Sequence, residues 1–226
     1  CLLFSFGSYE VLNLPNNARS LALNNTTSAY DGNFLHNNPA SISLRSGGMS
    51  YSYLYLPANI YLGEIHHVSK NNNGVKATKI CLLNYGEFID SETDEKYYAF
   101  DALVEMGYKR ELKNIASVGI SGGYLFSSVT GFNSQLLFSK IGVRSRLFRK
   151  RLGIGFSLEN MGILLKSYTD VKEPIPVLFR TAFYYKPMYI SLIINGDIVK
   201  ILDDNSFYLS SGLEFISQHN LIFRIG

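Results

Sequence analysis

Tyr98-Ala99-Phe100-Asp101-Ala102-Leu103-Val104-Glu105-Met106-Gly107-Tyr108-Lys109 is the stretch from which the fold is read. Tyr98, Phe100, Ala102, Val104, Met106 and Tyr108 form an apolar, aromatic set. The residues between them include Asp101, Glu105, Gly107 and Lys109. Alternation with a period of two puts these sets on opposite faces of one long strand. The next segment repeats the pattern, with Ala116, Val118, Ile120, Gly122, Tyr124 and Phe126 against Ser117, Gly119, Ser121, Gly123, Leu125 and Ser127. A third sets Leu152, Ile154, Phe156 and Leu158 against Gly153, Gly155, Ser157 and Glu159. No segment offers a comparable helical period, so the expected class is all-β.

Worked outward, the pattern predicts eleven strands, near 48–56, 59–68, 75–84, 97–108, 115–127, 133–146, 151–161, 177–186, 188–199, 206–217 and 221–226. Several reach the ~9–11 residues a tilted membrane strand requires. Connections alternate between short turns at one end and longer polar links at the other, above all 86–96 and 162–176. Short turns on one side and longer loops on the other characterise an outer-membrane barrel. A soluble up-and-down barrel or sandwich also alternates and stays an open alternative. In a membrane barrel the apolar face meets lipid, and Asp101, Glu105 and Glu159 face the lumen. Residues 8–47 are irregular, with a helical turn or two near 16–23. Asn38 then reads as an N-cap with Pro39 at the first helical position. Irregular backbone at membrane depth needs shielding by protein, so a plug inside the barrel is the economical placement.

Composition fits this reading. The 226 residues are 46% hydrophobic, 17% charged and 14% aromatic, without tryptophan and with net charge +3. These values exclude a disordered or collagen-like chain, and no apolar run reaches the ~18 residues of a spanning helix. The near balance of charges argues against nucleic acid or other polyanions as general partners. Two cysteines cannot build a disulfide framework or an ordinary zinc site. Cys1-Leu2-Leu3-Phe4 followed by Ser5-Phe6-Gly7 reads as the tail of a signal peptide over 1–7; a lipidated Cys1 and a buried first strand are the alternatives. The apolar pattern runs to Phe223-Arg224-Ile225-Gly226, so the expected barrel over 48–226 is C-terminally truncated and open, with edges near 48–56 and 221–226. The functional protein is then longer than this chain.

Few residues suggest chemistry. Gly119-Ile120-Ser121-Gly122-Gly123 matches the nucleophile-elbow pattern, but it lies inside continuous β alternation. His66 and His67 point to opposite strand faces. The carboxylates near Asp90 and Asp94 have no calcium-loop spacing. No catalytic residue, cofactor or metal site is expected. The basic turn Arg144, Arg146, Arg149, Lys150 and Arg151 reads chiefly as solvated gatekeeper charge, with lipid phosphate or an acidic partner as alternatives. The long links are better candidates for docking a partner, through Tyr85, Glu87, Asp90, Asp94, Tyr168, Asp170 and Lys172.

Leu12-Asn13-Leu14-Pro15, with Ala18-Arg19 and Ala22-Leu23, followed by Asn38-Pro39-Ala40, resembles the opening of PorV/PorQ-like outer-membrane proteins, relatives of the FadL-type barrels. Asn84-Tyr85-Gly86-Glu87-Phe88 with Thr93-Asp94-Glu95, Gly153-Ile154-Gly155-Phe156 to Glu159-Asn160-Met161-Gly162, Pro174-Ile175-Pro176, and Glu214-Phe215 with Phe223-Arg224-Ile225-Gly226 resemble later motifs in the same order. The PorQ-like branch is the nearer. Asn24-Asn25 departs from the family's glycine-rich turn. The resemblance implies a fourteen-stranded barrel, of which about eleven strands are present here. It also implies an N-terminal plug over 8–47 carrying Leu14, Pro15, Ala18, Arg19, Asn38, Pro39 and Ala40. The implied role is in type IX secretion or surface attachment, with a surface or secretion-system protein docked at the extracellular rim. Outer-membrane lipid, including lipopolysaccharide, would be the surrounding partner. A FadL-like transporter of hydrophobic small molecules is the alternative.

Overall fold

A computed structural model describes residues 9–15, 17–26, 28–30, 35–43, 48–71, 73–89, 94–112, 115–203, 206–217 and 221–226. The expected signal tail at 1–7 and Asp90 lie outside the described residues.

The alternating segments form β1 (Gly48–Leu56), β2 (Ile60–Asn71), β3 (Gly74–Ile89), β4 (Lys96–Leu112), β5 (Ala116–Val129), β6 (Phe132–Leu147), β7 (Leu152–Lys166), β8 (Leu178–Tyr185), β9 (Leu192–Ile201), β10 (Phe207–Ile216) and β11 (Ile222–Ile225). They make one antiparallel up-and-down sheet in which every strand lies beside its neighbour in sequence. Among the described residues β1 and β11 do not pair, so the sheet is not closed.

The faces of the sheet invert the usual arrangement of a globular domain. Glu64, Lys79, Asp101, Glu105, Lys140, Arg144, Glu159, Arg180, Asp197 and Glu214 are buried. Tyr51, Ile80, Val104, Met106, Ile120 and Leu137 are exposed, Tyr51 at 86% and Met106 at 64%. The N-terminal residues cover the charged face. Tyr9, Val11 and Leu12 pack with Leu62, Leu83, Leu103, Leu125 and Leu136. Leu35 and Ile42 pack with Val68 and Ala77, and Ala29 and Tyr30 with Ala182, Tyr184 and Ile193. One short segment thus touches strands from β2 to β9, which requires the sheet to curve around it.

Among the described residues three register shifts interrupt the pairing, one between β3 and β4 and two between β6 and β7, the outer of these between Gln135 and Leu136. Register shifts between Asn84 and Glu87, where Gly86 takes a left-handed φ of 81° that an L side chain adopts only with strain. Beyond the bulge Glu87 still pairs with Tyr98 and Ile89 with Lys96. Residues 86–89 and Lys96 of the expected loop over 86–96 therefore belong to strands. The inner β6–β7 bulge sits at Glu159–Asn160, opposite Lys140, with Asn160 at φ 60°, a region asparagine tolerates. β7 then continues to Lys166, shortening the expected 162–176 link as well. Both corrections have one cause: a bulge absorbs an extra residue without ending the strand.

Candidate functional site

The β3 bulge lies beside a cleft in the buried face. Tyr85, the last inward residue before it, donates its hydroxyl to Asp101 Oδ2 at 2.8 Å. Ser127 on β5 donates to Asp101 Oδ1. Tyr168, just past β7, donates to Ser127 Oγ. Tyr9 meets Ser134 Oγ at 2.7 Å, and Ser134 donates to the Lys166 carbonyl at 2.9 Å. Above this network lies a cleft of about 460 Å³, walled further by Phe88, Val129, Phe132, Thr169 and Glu173. Burial, opposed by the Ser127 hydrogen bond and reinforced by the nearby Asp101 carboxylate, pushes the Tyr168 phenol up to about 12. Burial likewise raises Tyr9 above the ordinary tyrosine value. Both phenols stay protonated at neutral pH. The cleft can offer hydroxyl donors and carboxylates to a bound group.

Deeper in, the buried charges are paired. Lys79 Nζ lies 2.8 Å from Glu105 Oε2 and Lys140 Nζ 3.5 Å from the same oxygen, while Ser121 donates to Glu105 Oε1 at 2.7 Å. Arg180 holds Glu159 at 2.9 Å and Asp197 at 3.4 Å. Ser121 is the serine of the elbow-like pattern; it lies inside β5, without the strand-to-helix turn that such a nucleophile needs. Glu64 pairs with His66, and His67 is exposed on the other face.

The N-terminal motif residues are tied to this belt. Asn38 caps its turn, accepting from Ala40 N at 2.9 Å, and donates to the carbonyls of Val143 at 3.2 Å and Phe156 at 3.3 Å. Pro39 begins the short 3-10 turn Pro39–Ser41. Glycine is required at 119 and 142 because a Cβ there would collide with the Asn38–Pro39–Ala40 backbone and side chains. Arg19, in α1 (Ala18–Ala22), pairs with Glu214 at 3.1 Å. Leu14 packs on the apolar cluster beneath the cleft; Pro15 is half-buried and Ala18 exposed. Asn24 and Asn25 both take left-handed φ, a region asparagine tolerates better than most residues.

The candidate rim residues divide. Tyr85 and Tyr168 meet at the cleft through Asp101 and Ser127. Glu87 instead faces outward in β3, paired with Lys96 at 2.8 Å and accepting from Tyr98 at 2.9 Å. Asp94, Asp170 and Lys172 are exposed. Asp101, Ser127 and Tyr9 complete the cleft without having been singled out as docking residues; shared inward parity is the signal that links the first two. The basic run divides between the expected strand over 133–146 and the turn after it, so the turn label is corrected for its first two residues. Arg144 and Arg146 belong to β6 rather than to a turn. Arg144 is buried, opposite Ser117 and Gly155, whose small size leaves it room. Arg146 is 2.9 Å from Glu111. Arg149 and Lys150 form the exposed turn with left-handed φ, and Arg151 is half-exposed.

Among the described residues no group of three or more His, Cys, Asp or Glu is placed to hold a metal. No family model and no curated protein matches the chain.

Proposed function

We propose that this chain is an outer-membrane β-barrel protein of the PorV/PorQ type that serves type IX secretion or surface attachment in a Gram-negative bacterium, docking a partner protein at its extracellular rim. The supporting observation is the inverted wall, with apolar side chains outward and ionic groups inward. In water such a wall would expose far more contiguous apolar surface than a soluble monomer carries; in lipid it is the favourable arrangement. In this reading residues 8–47 are the plug, and the end bearing the cleft and residues 167–177 faces outward, surrounded by lipopolysaccharide.

Two experiments test the two halves of the reading. Met106→Arg places a charge on the outer face of β4. Folded into lipid vesicles, the variant loses ~2–4 kcal/mol in a denaturant titration; an exposed site on a soluble protein changes by only about 0.5 kcal/mol, and that outcome removes the membrane. Replacing 169–172 by Gly and Ser residues leaves β7 and β8 intact. Heat-modifiable gel migration stays normal, while surface proteins crosslinked to the chain on intact cells are lost. Retention of those proteins removes the docking half.

A second reading rests on the cleft itself, whose volume falls within the ~300–1,000 Å³ of small-molecule sites: a FadL-like transporter of hydrophobic solutes. The packed, hydrogen-bonded N-terminal segment beneath the cleft favours docking over passage.

A further inference from the structure

The interior carboxylates fall into two groups. Glu105, Glu159, Asp197 and Glu214 each have a Lys or Arg nitrogen within 3.5 Å, and Glu64 has His66. Asp101 is equally buried, at 3% exposure, yet among the described residues it has no ion-pair partner. Its hydrogen bonds come from the hydroxyls of Tyr85 and Ser127. A carboxylate taken out of water without a counter-charge is costly, and neutral donors offset only part of that cost. None of the paired carboxylates lines this cleft, whereas Asp101 does. Tyr85 and Tyr168 stand beside it, Glu173 lines the same space, and none of the described lining residues is Lys, Arg or His. Aromatic rings with carboxylates and no competing cation suit a positively charged group on an apolar stem.

We propose that the cleft takes a lysine or arginine side chain presented by the docked partner, its charged head meeting Asp101 and its stem lying between the tyrosines. The partner as source rests on the docking reading above: the cleft's wall includes Thr169, beside the exposed Asp170 and Lys172.

The test uses the full chain in detergent micelles, with calorimetry of an acetylated, amidated Gly-Arg-Gly peptide and its citrulline counterpart, which keeps the shape without the charge. The arginine peptide binds, weakens as salt rises, and exceeds the citrulline peptide by about thirtyfold; Asp101→Asn removes about the same factor. Glu173→Gln, half-exposed on the cleft wall, weakens binding by roughly threefold and serves as the readout if the Asp101 variant fails to assemble. Equal binding of the two peptides, or arginine binding unchanged in both variants, overturns the proposal. Butylguanidinium binding as tightly as the peptide also overturns it, in favour of a small free cation. Absent peptide binding, with surface retention still dependent on 169–172, removes this inference and leaves docking in place. Peptide binding with retention indifferent to 169–172 upholds the cation site and removes the docking reading.

Discussion

The paired belt and the loop-end cleft are built on the same face of the same sheet, a few residues apart along β4, yet they treat charge differently. Glu105 sits between Lys79 and Lys140. Asp101, four residues earlier, receives only hydroxyls. In the belt, Glu105, Glu159 and Asp197 are committed to Lys79, Lys140 and Arg180, and the result holds neighbouring strands in register. In the cleft, hydrogen bonds position the groups without neutralising them. Closed networks hold the fold together; open ones leave capacity for something else.

Breaking the belt has the largest expected effect. Arg180→Met leaves Glu159 and Asp197 buried without their cation, and thermal unfolding in detergent registers a loss of ~3–5 kcal/mol. A loss under about 1 kcal/mol would mean that the belt is less committed than its geometry indicates.

His36 probes the same belt by pH. Its ring is buried, Nε2 lies 2.7 Å from Asn25 Oδ1, and burial first, then Lys79, Lys140, Arg180 and His66, hold it well below the ordinary histidine value. The unfolded chain takes up that proton near ~6.5 while the folded one does not. The contribution is therefore complete above about pH 6.5 and is lost as pH falls below it. Protease protection of the N-terminal segment, followed from about pH 7.5 to 5, declines in the wild type and is flatter in His36→Asn.

The smallest effect belongs to the cleft. Tyr168→Phe removes one hydroxyl from a partly exposed network and costs ~0.5–1.5 kcal/mol. A cost matching that of Arg180→Met would make the cleft part of the structural belt after all.

The sequence pattern showed faces well and ends poorly. Strict alternation over Tyr98–Lys109 identified the buried Asp101, Glu105 and Lys109 because side-chain direction in a strand depends on parity alone. Each bulge resets that parity. Glu87 has the odd number of the inward Cys81 and Leu83, yet it faces outward. Leu164 packs against the interior cluster although its even-numbered neighbours before Asn160 point out. No composition signal marks such a slip, since Gly86 and Asn160 suit a turn as well as a bulge. The cleft was legible in part: Tyr85 and Tyr168 came from their expected loops. Their meeting at Asp101 depends on the pairing of β3, β4 and β5 and on where the chain turns after Lys166, which no local spacing reveals.

The ties between the N-terminal segment and the sheet also set the order of events during folding. Tyr9 meets a residue 125 positions away, Asn13 one 147 positions away, and Arg19 one 195 positions away. Contacts of such long range are slow to form, because the loop between their ends must close first. The earliest-synthesised part of this stretch therefore waits for β10 before Arg19 finds Glu214. Refolding followed at Arg19 lags behind hairpin formation among the neighbouring strands, and the completed interior marks the end of the process.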